Sequence, residues 1–410
     1  MREPRVQTGR RTMVMMATSL AVTASGILLC FMLVQVPTVA DSDHPLNGIL
    51  AQTFAGDSWA GQAFVILTML SEGALLFVAA QAGFIDGPRV MANMALDSWM
   101  PHQFASLSER LTMRNGVYLM GGAALATLLY TGGDIHTLIV MYSINVFLTF
   151  SMSNLAMVRL WWNRRGSEPL WARKASVHGF ALLLCATILV ITVMEKFLAG
   201  GWITLVFTIG TILLCYLIRA HYRTVGRKVA QLDADLAPLT AEVPALPPQP
   251  VPELDPGAPT AVVLVGGYGG LGLHTVMHVE RTFPGQYRQV VFISAGVIDS
   301  GTFKGAHEVD ALQRRLETDL DKYLAFARNH MGWAADSDLV IGTETVAELE
   351  RLCREVHLRF PRSVFFAGQL IFRKSSWWDP LLHNMTAFAV QRRLQFDGLP
   401  MVVLPVRVLN

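Results

Sequence analysis

The sequence has few cysteines and few charged residues. Its 410 residues include four cysteines, and because none forms a Cys-x-x-Cys pair we expect neither disulfides nor a zinc site. Only 16% of the residues are charged, the net charge is +2 and no long basic run occurs, which argues against nucleic-acid binding. The sequence contains no Gly-x-Ser-x-Gly motif and no convincing catalytic triad, so we do not expect an enzyme.

Long apolar runs fill the first half of the chain instead. A membrane-spanning helix needs about 20 mostly apolar residues. Six segments qualify, and they lie at 13–37, 60–83, 116–131, 135–161, 177–195 and 201–219. The third is the weakest of them, because it is short and contains Gly121 and Gly122. We therefore predict a polytopic α-helical membrane domain over residues 1–222, embedded in lipid.

The distribution of lysine and arginine predicts the orientation of these spans. The loops at 84–115 and 162–176 are rich in both residues, as are the segments before the first span and after the last. The loops at 38–59 and 132–134 have none, and the loop at 196–200 has a single lysine. Because positive loops stay in the cytoplasm, we expect a multi-pass protein of the bacterial inner membrane with both termini in the cytoplasm.

The second half of the chain has the composition of a water-soluble domain. Residues 223–259 form a juxtamembrane and proline-rich linker, with eight prolines from position 238 onward. Residues 260–410 alternate short apolar strands with helical segments, which indicates a doubly wound parallel sheet of an α/β domain. The predicted strands are 261–265, 289–295, 338–342, 363–368 and 400–405, and the predicted helices are 271–283, 306–331, 344–359 and 380–396.

A glycine-rich motif follows the first predicted strand. Gly267-Tyr-Gly269-Gly-Leu-Gly272 matches Gly-x-Gly-x-x-Gly at the start of a helix, a context that suits a phosphate. The acidic residue that an NAD site requires is missing from the end of the second strand, and Asp299 is the nearest candidate. A site for another nucleotide or anion and a tight turn that needs glycine for backbone reasons both stay open. His274 and His278 have the spacing of metal ligands but no third partner, so we expect no metal.

Polar residues inside the predicted spans are candidates for a transport pathway. Glu72 lies near the middle of the second span, where an isolated carboxylate is costly, and Gln81 lies near the cytoplasmic end of the same span. Tyr142, Ser143 and Asn145 place three polar groups within about one turn of the fourth span. Polar groups of this kind line water-filled paths, but they also hold helices together by hydrogen bonds.

Several collinear segments carry a resemblance to a known family. They are Ala80-Gln-Ala-Gly-Phe-Ile-Asp-Gly-Pro-Arg-Val90, Leu138-Ile-Val-Met-Tyr142, Ala220-His-Tyr-Arg-Thr-Val-Gly226 and Leu382-His-Asn-Met-Thr-Ala-Phe388. With these segments the chain resembles transporters of the amino acid–polyamine–organocation (APC) superfamily and, within it, the KimA-type branch of bacterial potassium importers. The resemblance extends over essentially the whole chain.

The resemblance implies a twelve-span inverted-repeat fold, proton-coupled potassium uptake and a homodimer. It aligns this chain with helices 7–12 and the cytoplasmic domain, so we expect an N-terminally truncated transporter that lacks the broken first and sixth helices. Of the ion-path residues of the family, Tyr142 alone has a counterpart that can be transferred. The C-terminal domain would be universal-stress-like, with regulatory and dimerisation roles. Gly368-Gln-Leu-Ile-Phe-Arg-Lys-Ser-Ser376 lacks the glycines of the ATP-binding members.

The leading hypothesis is therefore the C-terminal part of a secondary transporter that carries potassium with protons. An amino acid permease of the same superfamily is the first alternative. A membrane-tethered nucleotide or ligand sensor is an alternative from another class, and in it Gly267, Gly269 and Gly272 would bind the ligand. We expect no obligatory cofactor, with a nucleotide in the cytoplasmic domain as the one possible exception.

Overall fold

The computed structural model of the chain describes residues 5–34, 46–56, 58–108, 110–241, 253–301, 306–371 and 386–407. It divides into two compact units, Met1–Phe84 and Ile85–Asn410, and each is described by itself. Much of the proline-rich linker (242–252) and the predicted start of the last helix (380–385) lie outside the described residues.

Seven helices account for most of the described residues up to 241. They are α1 Arg5–Val34, α2 Leu46–Ala55, α3 Trp59–Leu96, α4 Arg114–Thr131, α5 Ile135–Asn163, α6 Trp171–Lys196 and α7 Trp202–Ala241. In the described part of the chain, five of them (α1, α3, α5, α6 and α7) are long and apolar enough to cross a membrane. Their large apolar side chains are mostly exposed, as in Leu67 and Leu213. Such a surface is stable in lipid and unstable in water.

The helix α4 corresponds to the third predicted span. It is not one of the five, and its 18 residues extend over about 27 Å, slightly less than the hydrocarbon core of a bilayer. The spans predicted at 60–83, 135–161 and 177–195 fall inside longer helices, and the span predicted at 201–219 begins one residue before α7. The span predicted at 13–37 overlaps α1 up to Val34, and its last three residues lie outside the described residues. The sixth crossing therefore stays a prediction.

Two helices continue past their predicted ends, and one forms where a loop was expected. Helix α3 runs to Leu96 instead of ending at residue 83, and it ends two residues before Ser98, whose backbone has a positive φ of 61°. Helix α7 runs to Ala241, so the first part of the predicted linker is helical. The predicted loop at 38–59 contains α2. Between the end of α3 and the start of α4 lies a short 3₁₀ turn, His102–Phe104.

The helices α5, α6 and α7 pack around a small apolar centre. Val140 and Ile144 of α5 are buried, with exposed fractions of 3% and 0%. A π-helical turn, Phe197–Gly201, joins α6 to α7. A Cβ atom added to Gly201 would lie 3.0 Å from the Ile144 Cδ1 atom, so the small residue allows the turn to approach α5 closely.

The C-terminal part of the chain is an α/β domain, and it confirms the predicted fold class. Its elements are β1 Thr260–Leu264, α8 Gly270–Thr282, β2 Gln289–Val297, α9 Ala306–Phe326, β3 Ala334–Gly342, α10 Thr345–Arg359, β4 Ser363–Ile371, α11 Thr386–Phe396 and β5 Met401–Arg407. All five strands are parallel, in the order β3-β2-β1-β4-β5. From β1 the chain first adds strands on one side of the sheet (β2 and β3) and then on the other (β4 and β5). Folds of this kind usually bind ligands at this switch point, in the crevice at the carboxyl ends of β1 and β4.

The sheet is buried on both faces. Phe292, Tyr323 and Phe366 are fully buried on the face that α8 and α9 cover. Phe365 and Cys353 are fully buried on the opposite face, under α10 and α11. Because parallel strands are covered by helices on both sides, the central strands β1, β2 and β4 are largely apolar runs, whereas the edge strand β3 contains Asp336, Ser337 and Asp338.

Burial raises the pKa of the Cys353 thiol to about 12, and the nearby Glu350 carboxylate adds to the effect. Because only the thiolate reacts rapidly, we expect Cys353 to resist iodoacetamide at pH 8 while the domain is folded and to react once it is unfolded in guanidinium. Mass spectrometry of the peptide that contains Cys353 measures this. Rapid alkylation of the native protein would contradict the buried position.

Candidate functional site

The carboxylate of Glu72 has a polar partner in the first unit. Its Oε1 atom accepts a hydrogen bond of 3.0 Å from the Asn47 amide on α2. This partner was not predicted, because α2 itself was not predicted from the sequence. Gln81 is exposed on α3 and makes no hydrogen bond to the rest of the described chain.

The three polar candidates on α5 differ in their environments. The Ser143 hydroxyl donates to the Val140 carbonyl of its own helix, at 2.9 Å. The Asn145 Oδ1 atom accepts a hydrogen bond of 2.9 Å from the Thr208 hydroxyl of α7. Tyr142 is 70% exposed, and its hydroxyl makes no hydrogen bond within the described residues. The side chains of Ser143 and Asn145 are therefore already hydrogen-bonded within and between helices. The Tyr142 hydroxyl has no such bond within the described residues.

A second polar pair joins α5 to α6. The Asn154 Oδ1 atom lies 3.1 Å from the His178 Nδ1 atom. Between these pairs, the hydroxyls of Ser151 and Thr204 are buried and find no partner in the described part of the chain. Burying such a group without a hydrogen bond costs about 1 to 3 kcal/mol, so this three-helix region is less stable than its apolar packing suggests.

We predict that Thr208→Val destabilises the packing of α5 against α7 by about 0.5 to 1 kcal/mol, because it removes the hydroxyl and keeps the side-chain shape. Thr211→Val is a matched control, since the Thr211 hydroxyl bonds only to the Phe207 carbonyl of its own helix. Thermal unfolding in detergent micelles measures both variants. Equal effects of the two substitutions would contradict a stabilising interhelical bond.

The predicted glycine loop joins β1 to α8 and is held by two side chains from elsewhere. The Tyr323 hydroxyl on α9 lies within 3.3 Å of the carbonyl oxygens of Gly267 and Gly269, and the Gly269 amide donates to the same hydroxyl at 3.2 Å. The Gly270 amide donates to the Asp233 carboxylate of α7 at 2.6 Å. A Cβ atom on Gly272 would overlap the Tyr323 hydroxyl, which explains the glycine at that position.

The surroundings of the glycine loop are acidic. The Asp319 carboxylate lies on one side, where a Cβ atom on Gly267 would be 3.3 Å from its Oδ2 atom, and Asp233 lies on another. Burial raises the pKa of Tyr323 to about 12, and the two carboxylates add to the increase. Lys322 supplies a positive charge nearby, with its ammonium 3.2 Å from Asp319. The two carboxylates would repel a phosphate at this loop. Nucleotide binding there stays a prediction.

The other candidates in the domain have structural partners. Asp299 accepts a hydrogen bond from the Gly301 amide at 2.9 Å and forms a backbone bridge with Ser106. The rings of His274 and His278 lie edge to face, with centroids 6.4 Å apart and an angle of 70° between their planes. The described residues contain no group of three or more side chains that could hold a metal ion.

We predict that Tyr323→Phe lowers the free energy of unfolding of the α/β domain by about 1 to 2 kcal/mol, because the glycine loop loses its hydroxyl partner. Tyr287→Phe is the control, since Tyr287 is 2% exposed in the same core and its hydroxyl makes no hydrogen bond within the described residues. Chemical denaturation followed by far-UV circular dichroism measures both variants.

The same substitution changes the response to alkali. A pKa raised to about 12 in the folded state makes Tyr323 stabilising below its unfolded pKa of about 10, and this contribution is lost as the pH rises towards 12. The wild type is therefore expected to lose more stability than Tyr323→Phe between pH 10 and 12. Equal losses in the two proteins would contradict this role of the hydroxyl.

Comparisons with known proteins agree with the membrane architecture. The family model described as amino acid permease matches residues 2–218, more than half of the chain. The potassium transporter KimA of Bacillus subtilis (strain 168) is 26% identical over 246 residues, which cover 60% of this chain and 39% of that protein. The match thus spans well under half the length of this relative.

A solved structure matches about a third of the chain. It is a protein of the universal stress protein family from Burkholderia pseudomallei, 19% identical, and the match covers 35% of this chain and 96% of that one. Its TM-score of 0.25 is too low to carry an argument. The assignment therefore depends on the membrane helices, the family model and the potassium transporter, and on these grounds the chain belongs to the amino acid permease family of the APC superfamily of membrane transporters.

Proposed function

We propose that the chain is the C-terminal part of a secondary active transporter that carries potassium with protons across the bacterial cytoplasmic membrane. Membership of a transporter family supports the general activity. The potassium substrate is supported by the name of the relative that is 26% identical, the potassium transporter KimA. The proton as coupling ion comes from the resemblance alone.

The observation that carries this proposal furthest is the environment of Tyr142. Its hydroxyl makes no hydrogen bond within the described residues, while the neighbouring Ser143 and Asn145 are engaged in hydrogen bonds. Potassium in membrane proteins is coordinated by uncharged oxygen atoms that replace its hydration shell, and a phenolic oxygen is one such ligand. Glu72 is the candidate for the proton, because a carboxylate inside a span is rarely retained without a function.

The proposed orientation places both termini in the cytoplasm. The segment between α5 and α6 contains Arg164 and Arg165, and the continuation of α7 contains Arg219, Arg223 and Arg227. These positive charges favour the cytoplasmic side. The orientation also needs α4 to cross the membrane, and about 27 Å of helix suffices if the bilayer thins slightly.

An amino acid permease is the second candidate. The description of the matching family model favours it. A sensor is less well supported, because the amides of Gly269 and Gly270 already have partners within the chain. The homodimer that the resemblance implies stays a prediction.

We predict that Tyr142→Phe reduces potassium uptake about tenfold, because it removes one oxygen ligand worth about 1.4 kcal/mol. Tyr118→Phe is the matched control, since Tyr118 is also 70% exposed but lies on α4.

Glu72→Gln is expected to abolish the dependence of uptake on the proton gradient. Uptake is measured in cells that lack other potassium importers.

The same cells distinguish the two substrates. Uptake of labelled amino acids that does not depend on potassium would contradict the potassium proposal and favour the permease. Equal potassium uptake by Tyr142→Phe and Tyr118→Phe would remove Tyr142 from the pathway.

A further inference from the structure

Helix α7 is long enough to leave the membrane and reach the α/β domain. Its 40 residues extend over about 60 Å, twice the thickness of the hydrocarbon core. Near its C-terminal end the side chain of Leu232 is buried, with 8% of its surface exposed. The next residue, Asp233, accepts the hydrogen bond of 2.6 Å from the Gly270 amide.

The start of α8 lacks a capping side chain of its own. Its N-cap residue is Gly269, which has no side chain to accept a hydrogen bond from the first turn. Unpaired amides and the positive end of the helix dipole favour a negative group at this position. The Asp233 carboxylate supplies that group from 37 residues earlier in the chain, at the place where a phosphate would bind in a nucleotide site.

The glycines of the motif fit this contact. A Cβ atom on Gly270 would lie 3.0 Å from both the Asp233 Oδ1 atom and the Leu232 Cγ atom. A Cβ atom on Gly269 would lie 3.2 Å from the same carboxylate oxygen. Gly269 has an extended backbone that any residue adopts, so the reason for glycine there is the close approach of α7.

A second contact joins the same two regions of the chain. The Ser300 amide after β2 donates to the Ala105 carbonyl at 3.1 Å, in the segment between α3 and α4. That segment packs on α7, where Trp99 lies under the Arg219 guanidinium at 3.9 Å and against the Tyr216 ring at 5.1 Å. The α/β domain is thus attached both to α7 directly and to a segment that α7 supports.

We infer that the glycine loop is a binding site for a carboxylate of the same chain, Asp233, and that this bond links the last membrane helix to the α/β domain. The link does not depend on which substrate the protein carries. A movement of α7 along or across the membrane changes the position of Asp233, and the loop between β1 and α8 must then follow or release it.

Hydrogen–deuterium exchange of the full chain in nanodiscs tests this inference. Asp233→Ala is expected to speed exchange in the first turn of α8 about fivefold, the usual effect of losing a capping side chain. Asp233→Asn is expected to have a smaller effect, because its neutral oxygen still accepts a hydrogen bond. Asp321→Ala is the control, since it removes an equal charge from an exposed position on α9.

Exchange in β2 reports whether the domain remains folded in each variant. If Asp233→Ala cannot be purified in a folded state, Asp233→Asn is measured instead. It is also expected to speed exchange in the first turn of α8. Unchanged exchange at 270–273 in a folded Asp233 variant would overturn the inference.

Inorganic phosphate added to the wild type provides the second arm. The inference predicts no slowing of exchange in the glycine loop, because Asp233 occupies the donors. Clear protection by phosphate in the wild type would show that a free anion takes this site and would overturn the assignment to Asp233.

Discussion

The absence of water from the bilayer core is the constraint on which the first half of this chain depends. Every backbone amide and carbonyl there must be paired within the protein, which leaves the helix as the solution for segments such as α5 and α6. Polar side chains obey the same rule. Asn145 pairs with Thr208 and Asn154 with His178, so most polarity of α5 is used to hold neighbouring helices. The Tyr142 hydroxyl and the buried Ser151 hydroxyl of the same helix have no partner within the described residues, and the exposed Tyr142 oxygen is the candidate for transport.

The α/β domain satisfies its polar groups differently. Its parallel strands pair in one sheet, and helices bury both faces, so the backbone groups that still need partners are at helix ends and loops. At the start of α8 the Tyr323 hydroxyl and the Asp233 carboxylate fill this need. One of the two comes from the membrane helix α7, so the domain's own polar requirement ties it to the membrane region.

Local patterns in the sequence predicted most of the fold. The strand predicted at 289–295 is Gln289–Val297, and the span predicted at 135–161 lies within Ile135–Asn163, because apolar runs and their periods depend on nearby residues. Contacts between distant residues could not be predicted in this way. The partner of Glu72 lies on α2, a short helix without a strong pattern, and the glycine motif gave no sign that Asp233 and Tyr323 hold it. A motif that usually indicates phosphate thus marks close packing of the chain on itself.

The central proposal is that apolar helices cross the membrane several times and that the α/β domain lies on the cytoplasmic side. Single cysteines at Ser167, between α5 and α6, and at Leu198, between α6 and α7, test it with a membrane-impermeant maleimide. Leu198 is 93% exposed, so a cysteine there is accessible. The account predicts labelling of Ser167→Cys and of Asp321→Cys in the domain only in inside-out vesicles, and of Leu198→Cys only in right-side-out vesicles. Labelling of Ser167→Cys and Leu198→Cys from the same side would contradict it.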